Sequence, residues 1–384
     1  MSGDEAVAEA MRQINPDVVA AYPITPATEI INIFSKLIAE GKVKSEFIAA
    51  ESEHSALSAA IGASAAGVRA MTATASQGLA LMHEMLYIAA GLRLPIVMPV
   101  ANRALSSPIN IHCDHSDTMG SRDAGWLQFY SENVQETYDN FIQAIKISEH
   151  PDVLLPTIVA LDGFITSHSM QNLKILSDHA VKIFIGEYKP KRFLLDLKHP
   201  YSLGGFDLSD YFFEHKRQQS QAMKNSVGII AKVAEKFEKI SGRRYGFLEE
   251  YAMEDAQIAL VGIGSFCGVA KVAIENLREK GIKAGLVKVR VFRPFPYKEI
   301  SSALRKISLV AVMDRSDSLN NFGGPLFNEV RSALYDLAER PTVINYIYGL
   351  GGRDISVKEI ENVLKKLAKT KIIKKIVNYL GVRE

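Results

Sequence analysis

The sequence has little cysteine: Cys113 and Cys267 are the only two among 384 residues, and neither lies in a Cys-x-x-Cys pair. Because a 4Fe–4S cluster needs four thiolates, this chain cannot hold one alone. A structural disulfide is not expected in a reducing compartment. We therefore expect both cysteines to be small buried apolar side chains.

Long hydrophobic runs and an excess of one charge are also missing. The apolar runs Leu94–Val100 and Ile258–Gly262 have the length of strands, far short of the ~20 residues that span a membrane. The N-terminus, Met1–Glu5, is acidic and reads directly into a helical pattern, so we expect no secretory signal there. With 45 Lys+Arg against 43 Asp+Glu, nothing favours nucleic acid as a partner. We expect a cytoplasmic protein without membrane or nucleic-acid partners.

The first half of the chain alternates short apolar strands with helical patterns, which predicts βαβ units and a parallel sheet covered on both faces. The predicted strands are Asp17–Tyr22, Ser45–Ala50, Arg69–Ala75 and Pro95–Ala101. The predicted helices are Asp4–Arg12, Thr28–Ala39, Glu51–Ala66 and Gln77–Ala90. The fold class is therefore α/β.

A second alternation begins at Gln257 and predicts a smaller α/β domain. Its predicted strands are 257–264, 284–291, 309–313 and 341–347, and its predicted helices are 268–280 and 297–306. We place the first domain at 1–240, with a crossing segment at 188–240 that contains a charged helix, Phe213–Lys239, and the second at 256–384. The lysine-rich stretch Val363–Leu380 predicts a C-terminal helix with a solvated face, or one that docks on a partner.

The segment Tyr22–Pro26 follows the first strand, where ligands of open α/β sheets collect. Its two prolines fix the backbone, so the hydroxyl of Thr25 has a defined direction. That hydroxyl can bind a carboxylate or carbonyl oxygen. The alternative is a stiff strand-to-helix connection with Thr28 as the N-cap.

Glu53 begins a helix of small residues, where the helix dipole stabilises a carboxylate. A carboxyl group there can share a proton with a ring nitrogen of a cofactor. The alternative for Glu51 and Glu53 is first-turn electrostatics alone.

Two further polar groups follow strands. Ser76 and Gln77 lie in the turn Thr74–Gly78, which suits a cofactor ring or an anion, although many such turns bind nothing. Arg103 can pair bidentately with a substrate carboxylate, or form a surface ion pair.

Two other motifs match known patterns poorly. His112–Asp117 has metal-type side chains at a spacing that fits no standard zinc site, so we predict no metal there. Gly262–Ser265 begins like a dinucleotide fingerprint, but the third glycine is missing at Cys267. A tight strand-to-helix turn is the better interpretation, and a nicotinamide-dependent oxidoreductase is the alternative.

Taken in order, these segments resemble the pyruvate:ferredoxin oxidoreductase family over nearly the whole chain. The motifs that carry the resemblance are Tyr22–Pro26, Ser52-Glu53-His54, Thr74–Gly78, Arg103, Asp114–Asp117, Asp162-Gly163-Phe164, Val289–Pro296, Asp314-Arg315 and Gly323-Gly324. The resemblance implies a pyrimidine-binding domain of the thiamine diphosphate type, followed by a transketolase-C-terminal-like domain.

The resemblance also implies roles for single residues. Glu53 would contact the aminopyrimidine ring of thiamine diphosphate, and Thr25 and Arg103 would face the 2-oxoacid. The residues implied to line the cofactor are Glu53, Tyr22, Pro23, Ile24, Thr25, Ser76 and Gln77. The diphosphate and its Mg²⁺ would bind a β subunit, in agreement with the absence of a Gly-Asp-Gly…Asn motif from this sequence.

The implied reaction is thiamine-dependent oxidative decarboxylation of pyruvate with coenzyme A, with electrons passing to ferredoxin. Clusters would lie on β and δ subunits, and a γ subunit would complete the complex. A subunit acting on 2-oxoglutarate or a branched-chain 2-oxoacid, and a non-catalytic scaffold subunit, remain open alternatives.

Overall fold

The computed structural model describes residues 1–320, 322–369 and 375–383. Its strands form two sheets. In chain order the strands are β1 (Val18–Ala21), β2 (Glu46–Ala49), β3 (Ala70–Met71), β4 (Val97–Asn102), β5 (Leu127–Ser131), β6 (Thr157–Asp162), β7 (Leu248–Tyr251), β8 (Ile258–Gly262), β9 (Ala284–Val289), β10 (Val291–Arg293), β11 (Leu309–Asp314), β12 (Thr342–Tyr348) and β13 (Val377–Leu380).

Helices connect most of these strands. They are α1 (Gly3–Ile14), α2 (Thr28–Ala39), α3 (Glu53–Ala65), α4 (Ser76–Leu81), α5 (His83–Gly91), α6 (Ser116–Gly120), α7 (Val134–Ser148), α8 (Asp178–Ile185), α9 (Phe212–Ser241), α10 (Phe266–Arg278), α11 (Tyr297–Leu304), α12 (Pro325–Leu334) and α13 (Val357–Lys369). A 3₁₀ turn, Leu350–Gly352, follows β12.

The first sheet has the order β10-β5-β6-β4-β3-β1-β2, and all neighbours from β5 to β2 are parallel. Alternate residues of β4 enter different cores: Val97 packs with α1, α2 and α7, whereas Met98 packs with α3 and α5. Helices therefore cover both faces, as a parallel sheet requires. The predicted α/β fold class is confirmed.

The second sheet has the order β13-β12-β11-β8-β9-β7, with β7 antiparallel to its neighbour. One face of this sheet packs against α10 and α13 and forms a hydrophobic core of its own. The other face packs against α11 and α12, and this core is continuous with the core of the first sheet beneath α3 and α5. The two sheets therefore share one hydrophobic cluster.

The predicted strand Ala284–Val291 divides into β9 and β10. After Val289 the chain leaves the second sheet, and β10 pairs antiparallel with β5 of the first. Arg290 lies between the two strands and is buried, and its Nη1 donates to Oδ1 of Asn140 at 2.6 Å. One buried arginine therefore marks the point where the chain changes sheets.

The predicted C-terminal helix over 363–380 is wrong in part. α13 ends at Lys369, and β13 continues the sheet by pairing with β12. The exposed edge of β12 carries backbone groups that a helix could not satisfy but a strand can. Lys371 and Lys374, two of the lysines on which the prediction rested, lie outside the described residues.

The predicted charged helix Phe213–Lys239 is confirmed as α9, which runs from Phe212 to Ser241. The predicted helix Gln77–Ala90 is interrupted at Met82, where α4 ends and α5 begins. In the described parts of the chain, no helix is both long enough and apolar enough to cross a membrane.

Two local predictions near the first turn of the sheet need correction. Thr28 is not the N-cap of α2: the cap is Ala27, whose backbone angles are already helical, so the helix includes Thr28. The predicted strand Arg69–Ala75 pairs regularly only at Ala70–Met71, with a single bridge from Thr74 to Val100. The shortened strand leaves 72–76 to bend across the carboxyl edge of the sheet.

Candidate functional site

The turns that follow β1, β2, β3 and β4 lie at one edge of the first sheet, because these strands are parallel neighbours. This carboxyl edge holds the Tyr22–Pro26 turn, the start of α3 at Glu53, the start of α4 at Ser76, and Arg103. Ligands of open α/β sheets bind at this edge. The topology therefore brings together the segments that the sequence singled out one by one.

The Tyr22–Pro26 turn is open at its tip and packed at its end. Tyr22, Pro23 and Thr25 are exposed, whereas Pro26 is buried. A Cβ atom on Gly163 would lie 2.8 Å from Cγ of Pro26 and 2.3 Å from the main-chain oxygen of Asn102. Only glycine therefore fits behind the turn, and Thr25 is presented outward.

Arg103 is buried and joins two loops through main-chain oxygens. Its Nη1 donates to the oxygen of Thr25 at 3.0 Å, and its Nε donates to the oxygen of Asn110 at 2.9 Å. Within the described ranges its Nη2 makes no hydrogen bond and the side chain forms no ion pair, so the surface ion pair is excluded there. Two anchors fix the plane of the guanidinium and leave one donor group for an anion.

Asp117 organises the backbone beneath this edge. It is buried, and its Oδ2 accepts from the backbone N–H groups of Ser76 and Arg103, both at 3.0 Å. Its Oδ1 accepts from Nδ2 of Asn102 at 2.8 Å. Burial raises the pKa of Asp117 to about 6, although these hydrogen bonds lower it. The carboxylate thereby ties the turns after β3 and β4 together.

The turn after β3 has an unusual backbone. Ser76 has a φ of 45°, and its Oγ donates to the main-chain oxygen of Ala104 at 2.6 Å. That oxygen and the N–H bond to Asp117 hold this non-glycine residue in the left-handed region. Gln77, next along the chain, is only partly buried.

Glu53 begins α3 and is buried, with 7% of its surface exposed. Its carboxylate makes no hydrogen bond to any residue that the structure describes. A Cβ atom on Gly78 would lie 2.8 Å from Oε1 of Glu53 and 2.4 Å from Oγ1 of Thr74. The Thr74 hydroxyl is also buried without a partner in the same ranges. The Thr74 hydroxyl, which as a buried polar group needs a partner, and the Glu53 carboxylate therefore converge beside Gly78.

The His112–Asp117 segment contributes to a different cluster, between the two sheets. Nε2 of His115 is 2.8 Å from Oδ1 of Asp162, and Nη1 of Arg315 donates to Oδ2 of Asp162 at 3.0 Å. Burial alone would raise the pKa of Asp162, but His115 and Arg315 outweigh it, so this pKa is below its ordinary value. Cys113 is buried nearby, and Cys267 is buried elsewhere, so the predicted burial of both is confirmed.

The Gly262–Ser265 turn packs against the same carboxylate. The N–H of Ser265 donates to Oδ2 of Asp162 at 3.1 Å, and a Cβ on Gly264 would lie 2.8 Å from Oδ1. Since an acidic group occupies the place that a pyrophosphate would need, the turn is a contact between the two sheets.

The sequence predicted the Thr74–Gly78 turn as part of the edge, but it did not predict the roles of Asp117 and Asn110 there. Asp117 stood in a segment that was considered for metal binding and that also carries part of the family resemblance, with no role assigned to this carboxylate. Its position as the second residue of a short helix facing two strand ends depends on the fold, so no local pattern pointed to it.

Comparisons with known proteins cover both parts of the chain. The family model described as "Pyruvate flavodoxin/ferredoxin oxidoreductase, thiamine diP-bdg" matches residues 9–235. The family model described as "Pyruvate:ferredoxin oxidoreductase core domain II" matches residues 256–360.

Curated relatives match over nearly their full length. The chain is 52% identical to "Pyruvate synthase subunit PorA" of Thermotoga maritima, covering 100% of this chain and 98% of the relative. It is 46% identical to the protein of that name from Methanothermobacter thermautotrophicus, with the same coverage. "Ketoisovalerate oxidoreductase subunit VorA" of Pyrococcus abyssi is 41% identical, over 96% of this chain and 93% of the relative.

Two solved structures share the fold at low identity. A 2-oxoglutarate:ferredoxin oxidoreductase from Magnetococcus marinus, bound to 2-oxoglutarate, coenzyme A and succinyl-CoA, matches with a TM-score of 0.73 and 20% identity. The match covers 96% of this chain and 65% of that one. A split-gene transketolase in an inactive β4 tetramer matches with a TM-score of 0.56 and 13% identity, over 96% and 98% of the two chains.

Proposed function

The chain belongs to the pyruvate:ferredoxin oxidoreductase family, and we propose that it is the α subunit of a pyruvate synthase complex. The complex converts pyruvate, coenzyme A and oxidised ferredoxin into acetyl-CoA, CO₂ and reduced ferredoxin, and the reaction is reversible. The part of this chain that matches the thiamine diphosphate-binding family model, residues 9–235, contains every strand of the first sheet except β10. The observation that carries the proposal is the convergence of Thr25, Arg103 and Glu53 at one carboxyl edge.

Arg103 is the group we assign to the carboxylate of the 2-oxoacid. Its Nε and Nη1 are held by main-chain oxygens, so the free Nη2 donor and the positive charge have a fixed direction. The exposed hydroxyl of Thr25 lies on the same turn that Arg103 contacts, and it is assigned to the 2-oxo group. A fixed cation beside a fixed hydroxyl orients a 2-oxoacid before reaction.

The region around Glu53 fits the aminopyrimidine ring of thiamine diphosphate. The ring edge offers both donors and acceptors, and this region provides the Glu53 carboxylate beside the Thr74 hydroxyl, which is buried without a partner among the described residues. Gly78 leaves both groups open to the ring. Tyr22, Pro23 and Ile24 lie on the neighbouring turn, with Ser76 and Gln77 on the next.

When bound, thiamine diphosphate supplies the carbanion chemistry that removes CO₂ from a 2-oxoacid. Glu53, at the start of α3, would hold a proton at the ring nitrogen that faces it. The residues of this chain therefore orient the ring and the substrate.

Other parts of the reaction are assigned to partner subunits. The sequence has no Gly-Asp-Gly…Asn motif, so we assign the diphosphate and Mg²⁺ to a β subunit. Its two cysteines lie apart and cannot supply four thiolates, so we assign the clusters to β and δ subunits, with γ completing the complex. We propose a cytoplasmic location for it.

The second candidate function is that of the same subunit in a complex that oxidises 2-oxoacids with longer side chains. The similarity to a ketoisovalerate oxidoreductase subunit favours this candidate. Arg103 and Thr25 face groups that all 2-oxoacids share, so they serve either substrate. The test is purification of the complex from its native source, followed by assay of pyruvate, 2-oxobutyrate, 2-oxoisovalerate and 2-oxoglutarate with a viologen acceptor. We expect the highest kcat/KM for pyruvate, and a preference for a branched or acidic substrate contradicts the assignment.

A further inference from the structure

The loop between β4 and α6, residues 103–115, is fastened to the second domain by the side chain of Asn110. Its Nδ2 donates to the main-chain oxygen of Gly351 at 3.0 Å, and its Oδ1 accepts from the N–H of His112 at 2.7 Å. Asn110 therefore uses both ends of its amide, one within the loop and one across to the other domain.

The turn that contains Gly351 contributes a second bond to this loop. The N–H of Gly351 donates to Oδ2 of Asp114 at 3.0 Å. Gly351 has a φ of 62°, and a Cβ atom there would lie 2.5 Å from Nδ2 of Asn110. The backbone conformation and the close approach both require glycine. The contact between the domains therefore depends on the side-chain amide of Asn110 on one side and on a glycine at position 351 on the other.

Asn110 is also one of the two anchors of Arg103, since its main-chain oxygen accepts from Nε of Arg103. The other anchor is the oxygen of Thr25. A planar guanidinium held at two nitrogens has one orientation, whereas a guanidinium held at Nη1 alone can rotate. The position of the Asn110 oxygen therefore decides where Nη2 points.

We propose that Asn110 is a positioning residue for the 2-oxoacid: through its bond to Gly351, the second domain sets the orientation of Arg103. This inference rests on the proposed function, in which Arg103 binds the substrate carboxylate. The second domain thereby acts on the substrate site without contributing a group that touches the substrate.

The test uses Asn110→Ala in the assembled complex. The variant removes both bonds of the amide, but only the bond to Gly351 orients Arg103 from the second domain. Its loss costs about 0.5–1.5 kcal/mol, so kcat/KM for pyruvate should fall roughly two- to twelvefold, mainly through KM. The affinity for thiamine diphosphate should not change. Because the carboxylate is common to all 2-oxoacids, kcat/KM for 2-oxobutyrate should fall by the same factor. Asn276→Ala, which removes a bond to Glu361 between α10 and α13, is the matched control.

A second variant breaks the same contact from the other side. Gly351→Ala places a methyl group against Nδ2 of Asn110 and should reproduce the change in kcat/KM. In both variants, amide hydrogen exchange of residues 104–112 should become faster in the complex, while exchange in β4 should not. Unchanged kinetics in both variants, or an equal loss of thiamine diphosphate affinity, overturns the positioning role.

A double-mutant cycle separates this inference from the proposed function. If Asn110 acts through Arg103, then Asn110→Ala adds no further loss in an Arg103→Ala complex. Full additivity of the two losses contradicts the inference alone. If Arg103→Ala itself leaves kcat/KM for pyruvate unchanged, the proposed role of Arg103 is wrong, and the inference is wrong with it.

Discussion

The guanidinium of Arg103 donates from Nη1 to the main-chain oxygen of Thr25 at 3.0 Å. The two residues follow β4 and β1, which are separated in the sheet by β3. The side chain of Arg103 therefore reaches across the end of β3. It connects the loop between β4 and α6 with the turn that contains Thr25. This bridge gives the carboxyl edge a fixed shape on this chain.

Arg103→Lys should weaken use of the 2-oxoacid. Lysine keeps the charge but lacks the planar fork, so the bonds to Thr25 and Asn110 cannot both form. Loss of a hydrogen bond to a charged group costs about 1.5–3 kcal/mol, so kcat/KM for pyruvate should fall roughly ten- to hundredfold. Steady-state kinetics of the complex measure this.

The comparison variant is Arg305→Lys, an exposed arginine after α11, which should have no effect. The thiamine diphosphate affinity of Arg103→Lys should match that of the unmodified complex. A variant that loses cofactor affinity but keeps its KM for pyruvate contradicts the substrate role.

The sequence was sufficient to predict which segments meet at this edge. Parallel strands put their carboxyl ends side by side, so the turns at Thr25, Glu53, Ser76 and Arg103 had to gather once the alternation of strands and helices was recognised. The connections within the edge were not predictable. Asp117 and Asn110 act through backbone groups of residues distant in sequence, and no local spacing encodes such contacts.

The fold was predictable where the hydrophobic period was regular, and not where tertiary context decided. β5 and α7 had no assignment, and polar residues interrupt their pattern: Gln128 lies in β5 and Asn140 in α7, although the structure buries and pairs both. β13, Val377–Leu380, was missed because it follows a lysine-rich stretch and was assigned with that stretch to one helix. In both places contacts with residues distant in sequence, and not the local hydrophobic pattern, determine the secondary structure.

Gly78→Ala should weaken thiamine diphosphate binding. The added methyl group would lie 2.4 Å from Oγ1 of Thr74 and 2.8 Å from Oε1 of Glu53, so one of these groups must move. Overpacking of this kind costs about 1–3 kcal/mol. Titration calorimetry of the complex should show a loss of cofactor affinity of roughly fivefold or more, by the same free-energy scale.

Gly62→Ala is the matched control, because no heavy atom lies within 4 Å of a Cβ there. Since alanine favours a helix interior by about 1 kcal/mol, this variant should keep its cofactor affinity and gain slightly in stability. Equal affinities in the two variants would contradict the placement of the cofactor beside Gly78.

Arg315→Met should destabilise the junction between the domains. It leaves Asp162 buried with a charge that His115 and Ser265 alone must offset, at a cost of about 3–5 kcal/mol. Chemical denaturation at neutral pH measures the loss. Lys189→Met, which breaks an exposed pair with Glu187, should cost less than about 1 kcal/mol.

The loss of stability in Arg315→Met should depend on pH in a defined direction. The pKa of Asp162 is lower in the folded protein than its ordinary value of 3.8, so its stabilising effect is complete above that pH and is lost as the pH falls below it. Removing Arg315 raises this pKa and weakens the dependence. The stability difference between the variant and the unmodified protein should therefore shrink below about pH 4. A constant difference contradicts the charge-pair explanation.

Glu53→Gln in the assembled complex tests the central claim most directly, namely that this chain provides the pyrimidine-contacting half of a thiamine diphosphate site. Glutamine keeps the size of the side chain but cannot hold the proton. Turnover of pyruvate should fall roughly hundredfold or more, the range of general acid–base catalysis, while the complex remains intact by size-exclusion chromatography. Glu51→Gln, an exposed carboxylate two residues earlier, should retain full turnover. An intact Glu53→Gln complex with unchanged turnover would contradict the account.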